Sequence, residues 1–401
     1  IVQAGKEDDV IENLLSKYES LSGHIQVVKR NPDVYPTFAE QYTDEEVKNN
    51  SLVVECGDRS RYISYDDIYV KETNVYSYTY NTSFDGEGAI TSAIDYVTTE
   101  KLPKLYVLEG HGEPELPSTF SDQIEKDNIE VENLSLLKVD SIPEDAAAIM
   151  IYAPSSDISD KEEEMLLDYV KKGGKLMAAA GPAKEGPLEN LYGLLSQYGV
   201  KVNEGVVVEA NREYYAFQIP HILIPDMAEH DITKSLIEEK YFPLMPVSHG
   251  LTIGETPPNA TVTALLNTSS DSYSKIAGYD ISTFEKEEGD IDGPFAVAVD
   301  IKNAGGGRIV WFASSTFLDD MYNAYSSGAN VDLAMNALSS LVGETEAMAI
   351  RSKSLNYNYL TISDSTSSLL KALMIGVFPL VYLCVGVCII LARRRMRSET
   401  V

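Results

Sequence analysis

The sequence predicts an α/β protein: an open, mostly parallel sheet with helices on both faces, preceded by a thioredoxin-like module and followed by one transmembrane helix. Three observations carry this reading. From about residue 90, short β-type runs alternate with amphipathic helical stretches, the pattern of a sheet covered on both faces. The run 146–152, AAAIMIY, is almost wholly apolar, as a strand buried on both sides must be. Residues 372–392 then run for twenty-one positions without a charge.

The first module covers residues 1–85. Val10, Ile11, Leu14, Leu15, Tyr18 and Leu21 recur at helical spacing, and Gly23 ends the run. A strand over 24–28 follows, then a turn at Asn31-Pro32-Asp33 and a short helix over 37–42. Strands over 51–55 and 61–69 flank Gly57-Asp58, and the alternation of Tyr76, Tyr78 and Tyr80 marks one more. This α-β-α-β-β order matches most of a thioredoxin-like domain whose first strand would lie upstream of Ile1. No Cys-x-x-Cys occurs, which excludes thiol redox chemistry.

The second module, 86–345, repeats strand and helix. Strands are predicted over 105–108, 146–152, 175–180 and 206–209, with helices over 120–126, 160–172 and 188–198. The helix over 160–172 turns Met165, Leu166, Tyr169 and Val170 inward, and Gly173-Gly174 ends it. Strands over 262–266, 295–301 and 308–312 complete or extend the sheet, and a helix over 330–341 closes the module. Between 211 and 256 the pattern breaks into Pro- and His-containing segments, a length of irregular chain that favours a functional or partner-facing role.

Residues 346–368 are a polar linker and 369–392 the membrane helix. At about 1.5 Å per residue the uncharged stretch spans about 30 Å, the hydrocarbon thickness of a bilayer. Gly376 and Pro379 are tolerated in such helices. Arg393, Arg394, Arg395 and Arg397 follow at once, in the basic tail 393–401. As topology determinants they hold that end in the cytoplasm and place the large domain outside. Because the domain must be exported, a targeting segment or a further membrane helix is expected ahead of Ile1.

Net charge is −30 over 401 residues, and more negative still without the arginine tail. Such a surface repels nucleic acid. Of three cysteines, Cys384 and Cys388 lie in the apolar stretch, leaving Cys56 alone; a disulfide-built secreted scaffold is excluded. A bacterial envelope protein fits best.

The sharpest local signal is the loop Gly110, His111, Gly112, Glu113, directly after a strand. Ligands of open α/β sheets bind beyond the carboxyl ends of strands, and His with Glu suits metal ligation or acid–base work. The alternative is that the glycines make a tight turn while His111 and Glu113 brace neighbouring loops. Ser155, Ser156, Ser314 and Ser315 follow strands, but no nucleophile elbow and no local base accompany them. Phosphate-cradling glycine motifs are also missing. Gly305-Gly306-Gly307 reads as a loop entering a strand, and 289–293 as a solvated acidic turn in preference to a calcium loop. No metal or cofactor is expected.

The order of motifs resembles the GldG family, gliding-motility-associated auxiliary proteins of ABC transporters. The matching pieces are Leu105-Tyr106-Val107-Leu108-Glu109-Gly110-His111-Gly112-Glu113, then Ile142-Pro143-Glu144-Asp145. Asp168-Tyr169-Val170 and Gly173-Gly174-Lys175-Leu176 come next, followed by His230-Asp231-Ile232-Thr233, Gly293-Pro294-Phe295 and Gly307-Arg308-Ile309-Val310. The resemblance implies a flavodoxin-like or amidotransferase-like ectodomain without catalytic residues. It also implies an ABC-2-type permease and a cytoplasmic ATPase as partners. The expectation is therefore a non-enzymatic auxiliary subunit in the bacterial cytoplasmic membrane, engaging substrate or an envelope partner. The alternatives are a stand-alone ligand- or glycan-binding envelope protein and a membrane-tethered hydrolase.

Overall fold

The computed structural model describes residues 1–74, 79–184, 186–343 and 353–354. The linker's remaining residues, the expected membrane helix 369–392 and the arginines of 393–401 lie outside them, as do Tyr76 and Tyr78. Among the described residues no helix is long and apolar enough to cross a membrane.

In the N-terminal part, α1 (Asp9–Leu21) starts where the Asp8 carboxylate accepts the amides of Val10 and Ile11, which fills two of the orphan donors of a first turn. The hairpin β1 (Leu52–Cys56) and β2 (Arg59–Ile63) turns at Gly57. Ser64 and Asp67 then form a capping box that starts α2 (Tyr65–Ile68), so the strand expected over 61–69 breaks after Ile63. Next come β3 (Tyr69–Asn74), β4 (Thr79–Phe84) and α3 (Gly86–Thr98). The predicted short helix over 37–42 is a single 3-10 turn, Ala39–Gln41. The strand expected over 24–28 is not formed: His24 lies in the turn that follows α1, where the Ile25 amide donates to the Ser22 carbonyl, and residues 25–28 join no ladder. The hairpins β1–β2 and β3–β4 stand in separate sheets, so the likeness to thioredoxin rests on element order. Ile11, Ile63, Ile68, Ile90 and Ala93 form one apolar cluster here, to which α3 contributes two residues.

The larger part opens with β5 (Lys104–Leu108), α4 (Ser118–Lys126), β6 (Glu130–Leu134) and β7 (Ala146–Tyr152). It continues through α5 (Asp160–Lys171), β8 (Lys175–Ala179) and α6 (Glu189–Ser196). A long excursion follows. It holds β9 (Val200–Val202), β10 (Val206–Glu209), β11 (Ile222–Leu223), β12 (Asp226–Met227) and α7 (Lys234–Glu239). It then runs through β13 (Met245–Pro246), β14 (Leu251–Ile253), β15 (Ala260–Asn267), β16 (Ser272–Lys275) and β17 (Ile291–Asp292). The chain returns by β18 (Ala296–Asn303), β19 (Arg308–Phe312), α8 (Asp320–Tyr325) and α9 (Ala329–Val342). A last short strand, β20 (Lys353–Ser354), pairs with Ser83 and Phe84 of β4.

The main sheet has ten strands in the order β12-β15-β18-β19-β8-β7-β5-β6, with β14 joining β18 to β9. From β19 to β6 every pairing is parallel. Counted along the chain, that half runs β6-β5-β7-β8-β19, the 2-1-3-4-5 order of flavodoxin-like doubly wound sheets. The other half is antiparallel, so the sheet is mixed, which corrects the expectation of a mostly parallel one. The reason is local: only Ala304 to Gly307 connect β18 to β19, and so short a turn can join only antiparallel strands. The predicted strand over 206–209 leaves the main sheet altogether and pairs with β16.

Alternation along each parallel strand divides the core. Met150, Tyr152, Met177 and Phe312 pack on one face against Phe120, Ile124, Leu333 and Leu338 of α4 and α9. Ile149, Ile151, Leu176 and Trp311 pack on the other against Leu166, Val170, Leu191 and Leu195 of α5 and α6. Each such side chain contributes about 1.5–3 kcal/mol by leaving water.

Candidate functional site

In the 2-1-3-4-5 order the strand direction of winding reverses between β5 and β7, and the crevice at that switch point is where such folds take ligands. The loop after β5 carries Gly110, His111, Gly112 and Glu113; the loop after β7 carries Ser155 and Ser156. The two loops are laced together. The His111 carbonyl accepts the amides of Ser155 (3.0 Å) and Ser156 (2.9 Å), and both serine hydroxyls donate to it as well. Gly112 is left-handed at φ +78°, and a Cβ there would stand 2.0 Å from Ser155 Oγ. Only glycine lets the loops approach this closely.

The side chains are engaged with one another. His111 is 5 % exposed. Its Nδ1 lies 3.1 Å from Glu113 Oε1, and its Nε2 3.2 Å from Glu162. The Glu113 carboxylate also accepts the His111 amide at 2.7 Å. Glu162 is the third residue of α5 and its capping box: its Oε2 accepts the amide and hydroxyl of Ser159, both at 2.8 Å. Imidazole, two carboxylates and a helix N-terminus thus form one buried brace between the loop after β5 and the first turn of α5. The Glu113 hydrogen bond, opposed by burial and reinforced by Glu162, holds the imidazole above its ordinary range. Burial works against both carboxylates, but their bonds to His111 and to nearby amides keep them below theirs. With both ring nitrogens committed, the imidazole faces no serine hydroxyl that it could activate.

Ser314 and Ser315, at the end of β19, are likewise used in packing. Ser314 donates to the Pro246 carbonyl, and Ser315 Oγ accepts the Gly181 amide at 2.8 Å. Nearby, His249 Nε2 meets Tyr192 Oη at 3.0 Å and the two rings stack edge to face. Burial pushes this imidazole down to about 4, so it is neutral at pH 7.

A second polar cluster lies on the antiparallel half. Asp300, on β18, is 1 % exposed. Arg308 grips it with Nε at 2.7 Å and Nη2 at 3.0 Å, the two-pronged geometry that suits guanidinium and carboxylate. His230 Nε2 lies 3.2 Å from the same carboxylate, while its Nδ1 accepts the Ile232 amide. Two motifs far apart in the sequence, those at 230–233 and 307–310, therefore meet on one buried carboxylate. Sequence reasoning missed Asp300, which sits in an apolar strand with no motif around it. Glu162 was not singled out either, although the Ser159-x-x-Glu162 spacing is the signal of a capping box.

The acidic turn at 289–293 is not simply solvated. The Asp290 carboxylate lies 3.2 Å from the Lys275 ammonium, and Glu287 at 2.5 Å. Lys275 is fully enclosed, so a lysine already supplies the cation this turn holds. Among the described residues no group of three or more His, Cys, Asp and Glu is arranged around a metal.

Fold and site together define a doubly wound α/β domain, extended by an antiparallel half, whose switch point is filled by its own side chains. The chain belongs to the family of auxiliary components described as an ABC-type uncharacterized transport system, whose model matches residues 102–337. This match bears out the resemblance carried by motif order. No curated protein is significantly similar to the chain. Among solved structures, the N-terminal domain of mmIFT52 is 17% identical, covering 59% of this chain and 97% of its own, with a TM-score of 0.44. A glutamine amidotransferase from Thermotoga maritima is 9% identical, covering 61% of this chain and 99% of its own, with a TM-score of 0.32. A putative ThuA-like protein from Parabacteroides merdae is 13% identical, covering 61% and 91%, also at 0.32. The fold assignment rests on the strand order above.

Proposed function

We propose that the chain is a non-enzymatic, membrane-anchored subunit of an ABC-type transport complex, working with an ABC-2-type permease and a separate cytoplasmic ATPase. The family match over residues 102–337 carries this reading. The closed switch point supports it: the crevice where a doubly wound sheet would hold a cofactor or substrate is occupied by His111, Glu113 and Glu162. In this reading the brace rigidifies the loop 110–113, whose exposed rim, together with the excursion 211–256, offers a surface to substrate or an envelope partner.

The uncharged stretch 372–392 and Arg393, Arg394, Arg395 and Arg397 support a single C-terminal anchor with a cytoplasmic tail and an extracytoplasmic large domain. The thioredoxin-like module, lacking redox cysteines, serves in this reading as a spacer. Protease treatment of intact spheroplasts tests the topology. Digestion of residues 1–343 with survival of the tail fits the reading; complete protection of the large domain contradicts it.

A further inference from the structure

Between β16 and β17 the chain makes an excursion, residues 276–290, that is irregular apart from one 3-10 turn, Gly278–Asp280, and yet is tied down at many points. Lys275 ends β16 and is fully enclosed. Its ammonium donates to the Glu285 carbonyl at 2.7 Å and pairs with Glu287 and Asp290. The Tyr273 hydroxyl, two residues back and so on the same face of the strand, donates to the Phe284 carbonyl. Asp290 also accepts the amides of Ile276 (3.2 Å) and Glu287 (2.8 Å), which closes the neck of the loop. At the far end, the Tyr279 hydroxyl donates to the Pro182 carbonyl at 2.8 Å, just beyond β8. An enclosed lysine is unfavourable unless it is paired and bonded. Here its charge serves to fix a surface loop.

The loop so fixed presents large apolar side chains to water: Ile276, Tyr279 and Phe284 are each 40–49 % exposed. Each is also held at its base. A Cβ built on Gly289 would stand 3.2 Å from Ile276 Cδ1. The Phe284 ring packs on His221 with centroids 5.5 Å apart, and the Lys184 ammonium lies 5.6 Å from the centroid of the Tyr279 ring. Side chains already held in place lose little further freedom when they are covered, and exposed apolar groups with a polar rim mark interaction surfaces. Here the rim is acidic. Residues 275–292 hold six acids and two lysines. Lys275 is taken up by Glu287 and Asp290, and Lys286 by Asp292. Among the described residues, Asp280, Glu285 and Glu288 have no ion pair.

We infer that the loop 276–290 is a docking surface for a partner protein, and that its occupant is a basic segment with apolar side chains between its lysines or arginines. The apolar residues of that segment cover Ile276 and Phe284, and its cations face Glu285 and Glu288. Charge complementarity of this kind selects the partner and its register. A second copy of the chain would set the same acids against one another, and nucleic acid or an anionic lipid surface is repelled in the same way. This inference is independent of the transport role.

The test uses the full chain in a non-ionic detergent. The probe is a fluorescent peptide of three Lys-Leu-Leu-Lys repeats, beside a control peptide with glutamate in place of lysine. Anisotropy reports binding, and amide hydrogen exchange over 276–290 reports where it occurs. The lysine peptide is expected to bind, to slow exchange in the loop, and to weaken as salt is raised; the glutamate peptide should do none of these. Ile276→Ser with Phe284→Ser should weaken binding by about tenfold or more. Glu285→Gln with Glu288→Gln should also weaken it, with Tm unchanged, because the contact of Lys275 is to the Glu285 backbone carbonyl. No binding, or equal binding by wild type and both double variants, overturns the inference. So does self-association of the wild type that Ile276→Ser with Phe284→Ser abolishes, since a second copy would then be the occupant.

Discussion

His111 Nε2 stands 3.2 Å from the Glu162 carboxylate, and this contact ties the switch-point loop to the N-terminus of α5. Its removal should act on stability. His111→Ala leaves Glu113 and Glu162 buried as like charges without their cation, and losing one member of a buried ionic group costs about 3–5 kcal/mol. Urea unfolding of the wild type and His111→Ala measures this. A change under about 1 kcal/mol would mean that the brace contributes little.

The same brace predicts a pH window. The His111 pKa is raised above 6.5 in the folded chain, so its contribution is fully present below 6.5 and is lost as pH rises through the raised value. Glu113 and Glu162 have pKa values lowered from 4.5; their contribution is present above 4.5 and is lost as pH falls through the lowered values. The stability difference between wild type and His111→Gln should therefore be greatest between 4.5 and 6.5 and shrink on both sides. Denaturant titrations across that range check it.

His249 works with the opposite sign. Its folded value of about 4 lies below the ordinary 6.5, so the unfolded chain takes up its proton first and stability is lost as pH falls from 6.5 toward 4. The loss amounts to about 3 kcal/mol. In His249→Gln this part of the acid limb should be flatter by about that amount. An unchanged slope would show that the imidazole titrates normally.

Arg308 and His230 share the Asp300 carboxylate, which makes Arg308→Lys a non-conservative change. Lysine cannot make the two-pronged bond or keep the contacts of Arg308 Nη1 to Ser340. A loss of about 1–3 kcal/mol follows, read as a lower Tm in calorimetry. Asp300→Ala should cost more, because it strands a buried guanidinium.

Much of the parallel half was legible from residues alone. The apolar run 146–152 became β7, and the periodic 160–172 became α5, with the ending at Gly173 where the left-handed residue sits. The alternative reading of the 110–113 loop, glycines for a tight turn and His111 with Glu113 as braces, describes the observed contacts. The antiparallel half was not legible as such, since apolar strands read alike in either direction and only the brevity of 304–307 betrays the hairpin. Glu162 and Asp300 were missed for a common reason. Their partners are brought in by tertiary packing, and no short-range spacing encodes a contact between β5 and α5 or between 230 and 300. The Glu162 capping box was the one local clue.

As an auxiliary component of an ABC-type transport system, the chain should leave the membrane together with the transporter it serves. The most direct measurement is the composition of the particle isolated from detergent-solubilised native membranes through a tag on the chain, by mass spectrometry and native mass. An ABC permease and an ATPase are expected in fixed ratio with it. Isolation of the chain alone, or only with unrelated envelope proteins, would contradict that expectation.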